Sequence, residues 1–334
     1  MYKIAFVYPE KLPSGGDQLK YLKSSSTDKT CYYLYISQGF NLLDNIYYQK
    51  ICFEGSTFDI SSIDKEFDAI IIWDLFEYGI TYKNIKNSKA VICGSCPDVH
   101  TLNESMVYLY QEYNIDFFYH NYSKIAYENI MRSRLGLDPE RCDYKFMPRG
   151  ISETAIINSP AINLREGPTG FLSKKVLISG VTGHFSYALR KTISESNDKN
   201  IISVEQLKEN QTISNFNGDG YYELLRSTSA HIAACETFTG KLFESLGCGA
   251  LTFVQVGKDT DPAEAGLIDG VNCIFINEEN WNSKIRDYLS TSDDSKWAKI
   301  AAAGERLAIN RYSTKACASK IVDYCKIMSD VKNA

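Results

Sequence analysis

Two glutamates, Glu236 and Glu244, separated by seven residues and with Lys241 between them, are the side chains whose types and spacing point most directly to chemistry. They lie in AHIAACETFTGKLFESLGCGALTFV, residues 230–254, a stretch that opens and closes on the short apolar runs HIAAC and LTFV, both of strand type. Gly247, Cys248 and Gly249 interrupt it before the second run, so the pattern predicts strand, loop, short helix, strand. A helix that begins just past the carboxyl end of a strand offers free backbone N–H groups and the positive end of its dipole, which suit a phosphate. Lys241, in the first turn, adds a mobile positive charge. Glu244 falls one turn further along and Glu236 in the loop before, so two carboxylates can flank whatever the helix start holds. Carboxylates accept hydrogen bonds from hydroxyls, and a phosphate between two polyols is the outline of a nucleotide sugar. Taken alone, the pair reads first as a solvated helix face plus a loop carboxylate, and the frame around it is what points to chemistry.

Three other stretches carry candidate chemistry. In VLISGVTGHFSYALRK a strand ends at Gly180, a loop containing Gly183 and His184 follows, and Tyr187 opens a helix whose Arg190 could grip phosphate oxygens in a fork. The bland alternative is a surface arginine on a crossover helix. In CPDVH, Asp98 and His100 follow the apolar run AVICG and could point together at acceptor hydroxyls or a donor sugar, or form a capped turn. In PEKLPSGGDQ, Gly15 and Gly16 would let a substrate approach the backbone closely. His120, beside aromatics in FFYHNYS, reads first as a packed side chain. Asn272, in EAGLIDGVNCIFIN, reads most simply as part of a structural turn.

The elements that must position these residues alternate. In the first half the apolar runs are KIAFVYP, CYYLYIS, YQKICFE, FDAIIIWD, AVICGS, IDFFYH and YKFMPRG, several of them continuous, as in strands covered on both faces. The polar stretch NSPAINLREGPTG, with Pro160 and Pro168, reads as a linker. A second series follows: KKVLISG, a helix over 187–195, NIISVEQ, a helix over 221–226, HIAAC, LTFVQ and NCIFIN. From Trp281 onward, apolar spacing at three and four residues predicts amphipathic helices. The expected architecture is α/β, with two doubly wound Rossmann-like domains, residues 1–155 and 170–315, and a C-terminal helix at 316–334.

ETFTGKLFESLGCGA resembles the E-x7-E segment of retaining glycosyltransferases of the GT-B fold, in which two Rossmann-like domains face a cleft and a helical tail crosses back to the first. Thr237 stands where that family usually has glycine. The strand, glycine loop and Tyr-x-Leu-Arg at Tyr187–Arg190 is similar to a GT-B subgroup related to spore-coat maturation proteins and to phage or viral glycosyltransferases, with Ala188 in place of the usual proline. Asp98-x-His100 has a counterpart there, and Glu264, Gly266, Gly270 and Asn272 fit a further E-x-G and G-x-N register. The resemblance implies that Glu244 holds the ribose and Glu236 the donor sugar. It implies catalytic roles for Glu236, Arg190, Lys241, Asp98 and His100. Donor contacts would come from Glu244, Thr239, Gly240, Gly183, His184, Tyr187, Gly15 and Gly16.

The remaining composition narrows the field. The chain has 334 residues, 44% hydrophobic and 23% charged, with a formal net charge of -5, which gives duplex nucleic acid no general electrostatic hold. Ten cysteines include one C-x-x-C, Cys93 and Cys96, and read as buried free thiols of a reducing compartment. The chain enters a strand at once, shows no signal pattern and has no apolar run long enough to span a membrane, so the expectation is a cytoplasmic protein of a cell or an infected host. There is no Walker loop, dinucleotide G-x-G-x-x-G, G-x-S-x-G elbow or H-E-x-x-H. The single Asp-x-Asp, Asp259 and Asp261, runs into Pro262 rather than a strand, so no metal site is expected. The expected function is transfer of a sugar from a nucleotide-diphosphate sugar to a saccharide or other hydroxyl-bearing acceptor, with retention, without metal and with no cofactor beyond that co-substrate. A non-catalytic glycan- or nucleotide-binding protein on a degenerate form of the fold is the alternative. An NAD-dependent oxidoreductase shares the architecture but not the glycine fingerprint.

Overall fold

A computed structural model describes residues 1–9, 35–72, 80–95, 112–113, 115–120, 122–134, 136–141, 143–148, 150–151, 174–180, 187–196, 198–209 and 219–333. The chain divides into two compact units, Met1–Arg149 with Thr314–Ala334, and Gly150–Ser313. Each is a mixed α/β structure built on a parallel sheet.

The first unit holds β1 (Tyr2–Pro9), β2 (Ile46–Phe53), β4 (Ala69–Ile72), β6 (Val91–Ser95), β7 (Phe117–His120) and β8 (Asp143–Phe146), ordered β2-β1-β4-β6-β7-β8, with a small parallel pair β3 (Thr57–Asp59) and β5 (Thr81–Lys83) beside them. Ala69, Ile70, Ile71 and Ile72 are all fully buried, which is why this strand is a continuous apolar run with no alternation. Ala5, Val7, Ile70, Ile72, Ile92 and Phe118 face one core together with Tyr82, Tyr127 and Tyr144. The C-terminal helix α9 (Thr314–Asn333) packs with α1 (Tyr35–Phe40) and β6. Tyr324 meets the Phe117 ring edge-on at 5.9 Å, and Lys332 Nζ lies 2.7 Å from Asp116 Oδ2 and donates to the Ala90 carbonyl at 2.8 Å. CYYLYIS, expected as a strand, is not one where it is described: Tyr35–Phe40 is helical. The reason is tertiary, since Gly39 lets this helix press directly on the Thr314 carbonyl, where a Cβ would also lie 2.9 Å from Ala318 Cβ.

The second unit holds β9 (Val176–Ile178), β10 (Ile201–Ser203), β11 (Ala230–Ala233), β12 (Leu251–Gln255) and β13 (Ile274–Ile276), all parallel and ordered β10-β9-β11-β12-β13. After β9 the chain moves to one side of the sheet, and after β11 to the other. The reversal of strand order therefore falls between β9 and β11, and the crevice outside their carboxyl ends is where open α/β sheets bind ligands. Val176, Ile178, Ile232, Leu251 and Phe253 form one core with Leu189 and Ile193 of α3 (Ala188–Glu195) and with Tyr288, Trp297 and Ile300 of α7 (Trp281–Ser290) and α8 (Ser295–Tyr312). Between these lie α4 (Val204–Glu209), α5 (Asp219–Arg226) and α6 (Gly240–Gly247), while α2 (Lys124–Asn129) belongs to the first unit. The helix α6 is tied to β12 by the Ser245–Thr252 hydroxyl pair at 2.8 Å and braced by α8, where Phe243 and Tyr312 have ring centres 4.4 Å apart. Gly304 of α8 is needed there, because a Cβ would lie 2.5 Å from the Asn272 carbonyl oxygen and 2.7 Å from Leu246 Cδ2.

Candidate nucleotide-sugar site

The end of β9 and the start of α6 meet at Gly180. This glycine has φ of +102°, a conformation that disfavours side chains, and an ideal Cβ on it would stand 2.6 Å from Arg190 Nη1 and 2.7 Å from Lys241 Nζ. Two cationic head groups from two different helices thus converge over one bare backbone position at the switch point of the sheet. Arg190, in the first turn of α3, is only 3% exposed, and its guanidinium carbon sits 4.0 Å from the centre of the Tyr187 ring, which holds it in place. The sequence alternative of a surface arginine is therefore not what the fold contains.

The helix start is built to match. Thr239 precedes α6 in an extended conformation, φ -120° and ψ 162°, and makes no side-chain cap bond. A Cβ at Gly240 would meet nothing within 4 Å among the described residues. Glu244, one turn further, is 4% exposed, while Glu236 in the preceding loop is half-buried. Thr237 is buried, with its hydroxyl 3.7 Å from Cys235 Sγ. Its side chain is thus taken up inside the fold. Burial pushes the Cys235 thiol above its ordinary value, and the Arg190 and Glu236 charges act on it in opposite senses, which brings the loop carboxylate and the guanidinium to bear on one group.

Beneath the cations lies a residue that the sequence pattern did not single out. His231 is wholly buried on β11, flanked in register by Leu177 of β9 and Thr252 of β12, and its Nε2 is 2.8 Å from Ser179 Oγ. Burial, then the charges of Lys241 and Arg190, push its pKa down to about 3, so the imidazole is neutral. HIAAC reads as an apolar run. The signal available was a histidine inside a strand that otherwise had no polar residue.

Of the expected site residues, Arg190, Lys241 and Tyr187 come together at Gly180, Thr239 and Gly240 form the helix start, and Glu236 and Glu244 flank it in chain position. Asp98, His100, Gly15, Gly16, Gly183 and His184 lie outside the described residues. His120 is buried, stacks on Tyr122 with ring centres 4.5 Å apart and accepts the Tyr122 backbone N–H at Nδ1, 3.3 Å away. Asn272 closes its own loop, accepting from Ile268 N at 2.9 Å and donating to the Gly266 carbonyl at 2.9 Å, which is a structural role. Asp261 accepts from Glu264 N at 3.1 Å within a turn.

Residues 190–323 match the glycosyl transferase-like family model. That span opens on Arg190 itself and contains Glu236, Lys241 and Glu244. No curated protein matches the chain in sequence. Among solved structures, sucrose-phosphate synthase from Thermosynechococcus elongatus is similar over 99% of this chain and 100% of that one, at 8% identity and a TM-score of 0.61. A glycosyltransferase from Rickettsia africae is similar over 100% and 99%, at 14% identity and a TM-score of 0.58. Anabaena HepE, solved in complex with UDP and glucose, is similar over 98% and 100%, at 12% identity and a TM-score of 0.54. At these identities the likeness is one of fold, and the fold is that of the GT-B glycosyltransferases. Among the described residues no helix is long and apolar enough to cross a membrane.

Proposed function

We propose that the protein is a glycosyltransferase that moves a sugar from a nucleotide-diphosphate sugar to an acceptor hydroxyl, with retention and without a metal ion. The observation that carries this reading is the convergence of Arg190 and Lys241 over Gly180. Two cationic head groups that converge on one point suit a ligand carrying more than one negative charge. A diphosphate is such an anion, and the first turn of α6 adds backbone N–H groups and a positive dipole end beside it.

In this reading the diphosphate leaves with growing negative charge, and Arg190, Lys241 and the helix start stabilise it more in the transition state than in the bound donor. These fixed positive groups can do the work a divalent cation does in other transferases. Glu244 accepts hydrogen bonds from the ribose hydroxyls and Glu236 from the donor sugar. The acceptor hydroxyl attacks from the face the leaving group departs, and the diphosphate helps to take its proton. The family resemblance gives Asp98, His100, Gly15, Gly16, Gly183 and His184 further roles in the reaction. The family match over residues 190–323 and the UDP and glucose bound to Anabaena HepE support a nucleotide-sugar donor. The acceptor is a saccharide or another hydroxyl-bearing molecule, and the protein acts in the cytoplasm.

The test is transfer from a panel of nucleotide sugars by the wild type, Glu236→Ala and Glu244→Ala. Both variants are expected to lose activity, by about a hundredfold where one transition-state contact is removed. Equal rates in all three proteins would overturn the assignment.

A further inference from the structure

We propose that His231 is a positioning residue of the anion site: through Ser179 it fixes the end of β9, and with it the bare position at Gly180 where Arg190 and Lys241 converge. The inference rests on the anion-binding half of the function proposed above, and on the geometry around this side chain.

His231 sits in the middle strand of its sheet with no exposed surface. Its Nε2 is bonded to Ser179 Oγ at 2.8 Å, and Ser179 is the residue immediately before Gly180. The hydrogen bond therefore crosses from β11 to the residue that sets the direction in which the chain leaves β9. That direction matters because Gly180, at φ +102°, has no room for a side chain under the two cations.

The imidazole is also costly where it is. Among the described residues its Nδ1 has no hydrogen-bond partner. A buried polar atom left without a partner is destabilising, and an apolar residue of similar size would be more stable there. Leu177 and Thr252, its neighbours in register, show what this face otherwise carries. Donation from Nε2–H to Ser179 leaves a lone pair rather than an N–H at Nδ1, the cheaper of the two orphans.

The charged groups bearing on the ring are Lys241 from α6 and Arg190 from α3, while Glu236 and Glu244 are the carboxylates of the same loop and helix. Burial first, and then the two cations, hold His231 neutral, so it serves as a dry, uncharged strut beneath them and adds no third charge. Its contribution is geometric.

Calorimetric titration with inorganic pyrophosphate tests this on the full chain. His231→Leu is expected to weaken pyrophosphate binding about tenfold or more, a loss of about 1.4 kcal/mol, with Tm unchanged or raised. His231→Gln, whose side-chain amide reaches the Ser179 hydroxyl, is expected to restore affinity to within about threefold of wild type. Should the leucine variant fail to fold, Ser179→Ala cuts the same bond and is expected to weaken binding equally. Wild-type affinity in His231→Leu, or in Ser179→Ala, would overturn the proposal. So would a glutamine variant as weak as the leucine one. A wild type that binds pyrophosphate but no nucleoside diphosphate would sink the donor reading and leave the role of His231 standing; one that binds neither would overturn both.

Discussion

Arg190 Nη1 and Lys241 Nζ approach the same point in space, 2.6 and 2.7 Å from where Gly180 would carry its Cβ, although the two residues belong to helices that follow different strands. The absence of a side chain at position 180 is thus as much a part of the site as the two cations.

Gly180→Ala should therefore damage the site twice. An alanine at φ +102° costs about 1–2 kcal/mol of backbone strain. Its methyl also displaces one or both cationic head groups. The expected result is a lower Tm together with a loss of nucleoside diphosphate affinity of about tenfold or more. Thermal unfolding and calorimetry on one preparation check both.

His231 makes stability depend on pH in a defined sense. Its pKa is pushed down to about 3 in the folded protein, by burial first and then by Lys241 and Arg190, from 6.5 in the unfolded chain. Between those values the unfolded state binds more protons, so stability is fully present above the unfolded value and is lost as pH falls toward about 3. The slope for one such group is about 1.4 kcal/mol per pH unit. Urea unfolding at about pH 6.5 and about pH 4.5 should show wild type losing more stability than His231→Gln. Titrating carboxylates shared by both proteins cancel in the comparison.

Glu244 and Glu236 should separate in kinetics. In the proposed reaction the buried carboxylate of Glu244 holds the ribose, a contact made in ground and transition states alike, so Glu244→Gln should raise the donor KM more than it lowers kcat. Glu236, assigned to the sugar that changes in the reaction, should lower kcat more when replaced by glutamine. Steady-state rates over a range of donor concentrations distinguish the two.

Gly39→Ala tests how the C-terminal helix is held. The added methyl would run into the Thr314 carbonyl and Ala318 Cβ, backbone and short side chain that cannot swing aside. Overpacking of this kind costs about 1–3 kcal/mol. Urea unfolding should show the loss.

The strands of both units were legible because they are short, apolar and often continuous, as at Ala69–Ile72 and Leu251–Gln255. The three amphipathic helices after Trp281 were legible by their spacing. Tyr35–Phe40 was not, because the aromatic run of CYYLYIS favours a strand locally, while the helix packs Gly39 against Thr314 and Ala318 of α9. The pair β3 and β5 was missed for the opposite reason: three residues in each, one aromatic between two polar ones, carry too little pattern. In the candidate site, Lys241 and the glutamates were singled out from one continuous segment, and the fold brings Lys241 to Gly180. Gly180 and His231 were not, since their meaning depends on residues brought together from ten and more than fifty positions away.

Binding of nucleoside diphosphates by calorimetry, in the wild type and in Arg190→Ala and Lys241→Ala, tests the central claim most directly. At least one of UDP and GDP should bind the wild type, and each substitution should weaken that binding by about tenfold to a hundredfold, the loss of one charge-assisted phosphate contact. A wild type that binds neither nucleotide, or variants that bind as tightly as the wild type, would contradict it.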